Sequence, residues 1–102
     1  MRAIAIGNYS SRMETHSSEQ ITQAIAEELR AAWARKNITK DELADLSGVS
    51  RSVVFRTLNG EREAKMSQLI ALCEALGVEP SALLQAALEA VRAKNGSGRK
   101  DH

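Results

Sequence analysis

Apolar residues recur at helical spacing in five stretches of this chain, each bounded by residues that begin or end helices. Ile21, Ile25, Leu29, Ala32 and Trp33 fall on one stripe, and Ser17 and Gln20 upstream of it have capping-box spacing. The pattern predicts a first helix starting at Ser17 or Ser18, with Asn37 as the left-handed residue that ends it. A second helix is predicted over residues 40–46, capped by Thr39, with Leu43, Ala44 and Leu46 as its apolar positions. Ser47, Gly48 and Val49 stop it. Ser50 then caps a third helix over residues 51–58, with Val53, Val54 and Leu58 inward and a stop at Asn59 and Gly60. A fourth spans residues 66–76, where Leu69, Leu72, Cys73 and Leu76 lie at i, i+3, i+4 and i+7, and Gly77 closes it. Pro80 suits the first position of a fifth helix over residues 80–94.

The expected fold is therefore all-α: one domain over residues 17–94, built from five helices. Residues 1–16 have no helical period. Ile4 and Ile6 alternate with Ala3 and Ala5, but a lone strand is not stable without a partner, so this segment is expected to be a flexible N-terminal arm. Residues 95–102 are polar and Gly-rich, which predicts a disordered tail. With 102 residues there is room for one modest core.

Residues 39–59 combine two short helices with a tight turn between them, a helix-turn-helix, whose second helix enters the DNA major groove. Net charge is only +1, so no global basicity points to nucleic acid. Local charge changes that picture. From residue 46 to residue 60 the only charges are Arg51 and Arg56, with no acid among them, and a positive patch suffices to bind phosphate. In the N-terminal arm, Arg2 and Arg12 either belong to a plain tail or reach DNA or a partner subunit.

Other chemistries find little support. Cys73 is the only cysteine, so an intramolecular disulfide and a zinc cluster are excluded, and its place on an apolar stripe marks a core thiol. No apolar run approaches a membrane span and the first residues are too short for a signal peptide, so a reducing, cytoplasmic location without membrane attachment is expected. His16 and His102 lie in the expected tails, and the pairs Glu27-Glu28 and Asp41-Glu42 lie on polar helix faces. With no glycine-rich phosphate loop and no metal-ligand spacing, we expect no cofactor, no metal and no enzyme activity.

Over residues 21–84 the pattern resembles the lambda-repressor-like domain, the Cro/CI or XRE family of helix-turn-helix regulators. Thr39-Lys40-Asp41-Glu42-Leu43-Ala44, Gly48-Val49-Ser50-Arg51, Leu58-Asn59-Gly60 and Ala75-Leu76-Gly77-Val78 carry the resemblance, in both letters and spacing. The Leu-Asn-Gly ending is also similar to LacI-type headpieces, but two further helices after it favour the Cro/CI form. Three positions depart from the family. Lys40 stands where a glutamine usually contacts phosphate. Trp33 and Leu58 replace a buried arginine–glutamate pair, a change that is often neutral or stabilising. Phe55 occupies a usually polar, outward position, where it either touches thymine methyls or buries against a neighbour.

The resemblance implies a double-stranded DNA operator as partner. Base reading would fall to Arg51, Ser52 and Arg56, with Val53 and Phe55 at the edge to meet methyl groups. Either arginine could instead bind phosphate only. Phosphate contacts would come from Thr39, Lys40 and Ser50, and from a second clamp at Asn59, Arg62 and Lys65 that Glu61 and Glu63 interrupt. Leu84, Leu88 and Val91 continue an apolar stripe along the fifth helix, backed by Ala87 and Ala90, and form either a homodimer interface or a surface that folds back on the first helix. Three functions fit: a repressor of phage-immunity or Cro-like type, an antitoxin that inhibits a toxin protein and autoregulates its operon, and an interaction module without DNA.

Overall fold

The computed structural model describes residues 18–100, with side chains described through residue 94. The expected arm over residues 1–16, and His102, lie outside the described residues. Among the described residues there are five helices: α1 (Ser18–Lys36), α2 (Lys40–Ser47), α3 (Arg51–Leu58), α4 (Met66–Leu76) and α5 (Pro80–Lys100). Their boundaries follow local chemistry. Asn37 takes φ 61° and its N–H donates to the Trp33 carbonyl at 3.2 Å, ending α1 in the left-handed conformation that asparagine tolerates.

At α2, Thr39 Oγ1 accepts the Glu42 N–H at 3.0 Å while Glu42 Oε1 accepts the Thr39 N–H at 2.8 Å, a complete capping box. Gly48 closes the helix at φ 75°, donating to the Ala44 carbonyl at 2.9 Å. Ser50 Oγ accepts the Val53 N–H at 3.3 Å and so opens α3 two residues later. These paired stop and start signals fix the turn between α2 and α3.

The main core gathers Leu29 and Ala32 from α1, Leu43 from α2, Val54 and Leu58 from α3, Leu69, Leu72, Cys73 and Leu76 from α4, and Leu83 from α5. Trp33, Ile25 and Val53 pack against it from the rim. Truncating a buried leucine of this set to alanine costs about 2–5 kcal/mol. α1 is the spine: it packs against α3, α4 and α5, while α2 packs against α3 and α4.

Three sequence expectations change. Leu46 is 61% exposed. Leu43, Ala44 and Ser47 take the inward stripe of α2, and at roughly 100° per residue Leu46 falls about a quarter-turn off its centre. α5 continues to Lys100, past residue 94, through residues expected to be disordered; a helix already nucleated by packing gains one hydrogen bond for each residue it adds. Val91 is buried, not displayed. It joins Ala24 and Ala87 in a second cluster with Ile25 at its edge, because two facing alanines let α1 and α5 approach closely. The stripe thus folds back on α1 at Val91, while Leu84 and Leu88 remain half-buried.

Candidate nucleic-acid interface

α3 divides into two faces. Val54, Thr57 and Leu58 are buried, whereas Arg51, Ser52 and Arg56 are exposed. Arg51, Ser52 and Phe55 line one shallow depression on the outer surface. Val53 leans on the core cluster and Phe55 is half-buried, so neither stands as open to a ligand as the two arginines.

Both ends of α3 are tied down. Ser50 caps its start. At its end the Arg30 guanidinium of α1 donates a short hydrogen bond to the Leu58 carbonyl, and Gln23 Nε2 donates to the Gly60 carbonyl at 2.9 Å. A cation at a helix C-terminus also meets the negative end of the dipole. Gly60 has φ 76°, a left-handed conformation that favours glycine, and a Cβ there would come within 2.6 Å of the end of the Gln23 side chain, which would have to swing away from the carbonyl it bonds. Neither Arg30 nor Gln23 stood out in the sequence, because both act on backbone carbonyls and need no partner side chain. The only signal was that they lie off the apolar stripe of a core helix.

One ion pair and three cation–π contacts shape the outer face. Arg51 is paired with Asp41 of α2, Nε to Oδ1 at 2.6 Å, with both side chains largely exposed. The acid-free stretch around α3 in sequence is therefore not acid-free in space: the turn brings the first turn of α2 against the first turn of α3. Lys40 Nζ sits 5.2 Å from the Trp33 ring centroid and 4.8 Å from that of Phe55, and the Arg51 guanidinium carbon lies 5.4 Å from the Phe55 ring. All are within cation–π range. Phe55 packs against these neighbours and stays half-buried.

The other phosphate candidates divide unevenly. Thr39 and Ser50 each accept one capping hydrogen bond on the hydroxyl oxygen, which does not use the O–H donor, and leave backbone N–H groups at helix starts. Asn59 Nδ2 donates to Glu61 Oε2 at 3.5 Å, and Arg62 Nε donates to the Glu63 carbonyl at 3.3 Å. Lys65 is exposed at the N-cap position of α4 without a side-chain capping bond.

Among the described residues, no group of acidic, histidine or cysteine side chains could hold a metal ion, and no single helix is long and apolar enough to cross a membrane. The Cys73 thiol is buried, and burial, with Glu74 and Glu79 adding negative charge nearby, raises its pKa above the ordinary 9.0. It stays protonated and inert at neutral pH.

Comparison with known proteins agrees with this arrangement. A family model described as helix-turn-helix matches residues 27–83. No curated protein sequence matches the chain. Two crystal structures of the clp gene regulator ClgR from Corynebacterium glutamicum are similar. One is 26% identical with a TM-score of 0.68, covering 79% of this chain and 86% of that one. The other is 30% identical with a TM-score of 0.63, covering 70% and 91%. The restriction-modification controller protein C.AhdI from Aeromonas hydrophila is 28% identical with a TM-score of 0.57, covering 66% of this chain and 98% of that chain. With a capped helix-turn-helix, an outward arginine pair on its second helix and this likeness over most of its length, the chain belongs to the lambda-repressor-like (XRE) helix-turn-helix family of DNA-binding transcriptional regulators.

Proposed function

We propose that this protein is a sequence-specific repressor that occupies an operator as a homodimer, with α3 in the major groove. The observation that carries the reading is the outer face of α3, where Arg51, Ser52 and Arg56 are solvent-open on a helix fixed at both ends. Arginine can donate two parallel hydrogen bonds to guanine O6 and N7, so Arg51 and Arg56 each specify a G in a half-site. Lys40, Lys65 and the backbone N–H groups after Thr39 and Ser50 supply phosphate contacts that fix register. Two half-sites about 34 Å apart give one short helix the specificity it lacks alone.

The similar proteins support regulation over toxin inhibition: ClgR is a clp gene regulator and C.AhdI a restriction-modification controller protein. A toxin partner has no comparable support. An operator-bound role places the protein in the compartment that holds the DNA.

Selection of bound sequences from a random duplex library, with the complex sized by light scattering, tests the reading. The expected result is a palindrome with a G in each half, bound by two protomers. Recovery of no preferred sequence would refute it, and a single unpaired half-site bound by one protomer would refute the dimer.

A further inference from the structure

The chain holds one tryptophan and one phenylalanine, and both lie against the same lysine. Trp33 comes from α1, Lys40 from the first position of α2 and Phe55 from the middle of α3. On Phe55 the series continues to Arg51, and from Arg51 to Asp41. A lysine at the first position of a helix meets the positive end of the dipole, an unfavourable site for a cation. The Trp33 indole N–H is buried without a hydrogen-bond partner, so the ring is held there by packing and by Lys40. Three residues each in a costly or unusual place thus stabilise one another.

We propose that Phe55 is a positioning residue: its ring, fixed by Lys40 against Trp33, is the platform that orients the Arg51 guanidinium for base reading. This deepens the proposed function and rests on it. A free arginine side chain has many rotamers, and bidentate recognition of guanine accepts few of them. An aromatic face beside the guanidinium narrows the set before DNA arrives. The Asp41 contact holds the same group from the other side, but as an exposed pair that DNA phosphates and salt displace. The ring contact persists when DNA displaces Asp41. An ammonium has three N–H donors, so Lys40 can keep its two ring contacts and still offer a proton to a phosphate.

Direct base contact by Phe55 makes a different claim. Leucine can touch a thymine methyl as well as phenylalanine can, so Phe55→Leu would cost little if Phe55 read bases. It should cost much if the ring is a platform.

The test compares the full chain with Phe55→Leu, Phe55→Tyr and Lys40→Met, all checked for helix content by circular dichroism. Binding is measured to the duplex that wild type selects and to a scrambled duplex. In free protein, Lys40→Met and Phe55→Leu should each change the emission of Trp33, the only tryptophan. With DNA, Phe55→Leu should lose about tenfold affinity for the selected duplex, concentrated at one base pair per half-site, with less than about twofold change on the scrambled one. Phe55→Tyr, which keeps the ring, should recover most of that loss. Should Phe55→Leu not fold, Lys40→Met carries the test through base preference, losing it at the same base pair on top of the loss on both duplexes that its phosphate contact implies. Unchanged preference in these variants, or equal loss on both duplexes for Phe55→Leu, would overturn the platform while leaving the repressor reading intact. A wild type without sequence preference would instead sink the repressor reading, and the platform with it.

Discussion

Arg51 faces a competition that its neighbours define. Its partner Asp41 lies 2.6 Å away, and both side chains are mostly in water. Exposed pairs of this kind contribute about 0–1 kcal/mol, so DNA can take the arginine at little cost. What remains after that exchange is a carboxylate close to phosphates. Asp41→Asn should therefore tighten binding to every duplex by up to about 1 kcal/mol, more at low salt than at high. Titrations of specific and scrambled DNA at several salt concentrations would check this; weaker binding would mean that Asp41 orients Arg51. Cys73 allows a second prediction at this scale. Its pKa is raised in the fold, so as pH rises past about 9.0 the unfolded thiol ionises before the folded one. The contribution is complete below the ordinary thiol pKa and is lost as pH climbs through the raised one. Cys73→Ala should accordingly unfold less steeply above pH 9 in alkaline denaturation curves, and an identical slope would remove the thiol as the cause.

Among the elements, α3 is the one whose placement function depends on, and α1 does the placing. Arg30 and Gln23 grip the carbonyls of Leu58 and Gly60 at its end. Arg30→Met keeps the aliphatic stem but removes a partly buried, charged donor, and should destabilise the fold by roughly 1.5 kcal/mol in denaturant melts. A loss near zero would mean that water satisfies that helix end equally well. The boundaries of α2 and α3 and the end of α4 were legible in the sequence because caps are local: Thr39, Ser50, Gly48 and Gly77 act within a few residues of themselves, whereas the end of α5 was not. The outward arginines of α3 were legible for the same reason. The partners across elements were not. Asp41 reaches Arg51, and Lys40 reaches Trp33 and Phe55, only because the turn folds α2 back on its neighbours. Leu46 read as core because three apolar residues in eight suggest a stripe, yet only packing decides which edge of a two-turn helix is covered.

For the whole molecule, the homodimer proposed above bears on the outer side of α5. Ala87 and Val91 are spent on α1, which leaves Leu88 half-exposed, with Leu84 leaning on the main core. A homodimer through this helix must therefore use Leu88 and not Val91. Leu88→Glu should give a folded monomer that binds a palindrome no better than two independent half-sites. Val91→Glu should instead destabilise the monomer itself, by about 3 kcal/mol, since it buries an unpaired charge. Light scattering with circular dichroism separates the two, and a Leu88→Glu protein that stays dimeric would move the interface elsewhere.

The exposed arginines of α3 are proposed to read bases and not only to hold phosphate. Measuring base preference at each operator position for wild type, Arg51→Ala and Arg56→Ala, across a series of salt concentrations, separates the two roles. Each variant should lose about 1–3 kcal/mol on the operator and lose preference at one base pair per half-site, while Lys65→Ala weakens all sequences alike and flattens the salt dependence. Arginine variants that keep full preference and lose only salt-dependent affinity would contradict base reading.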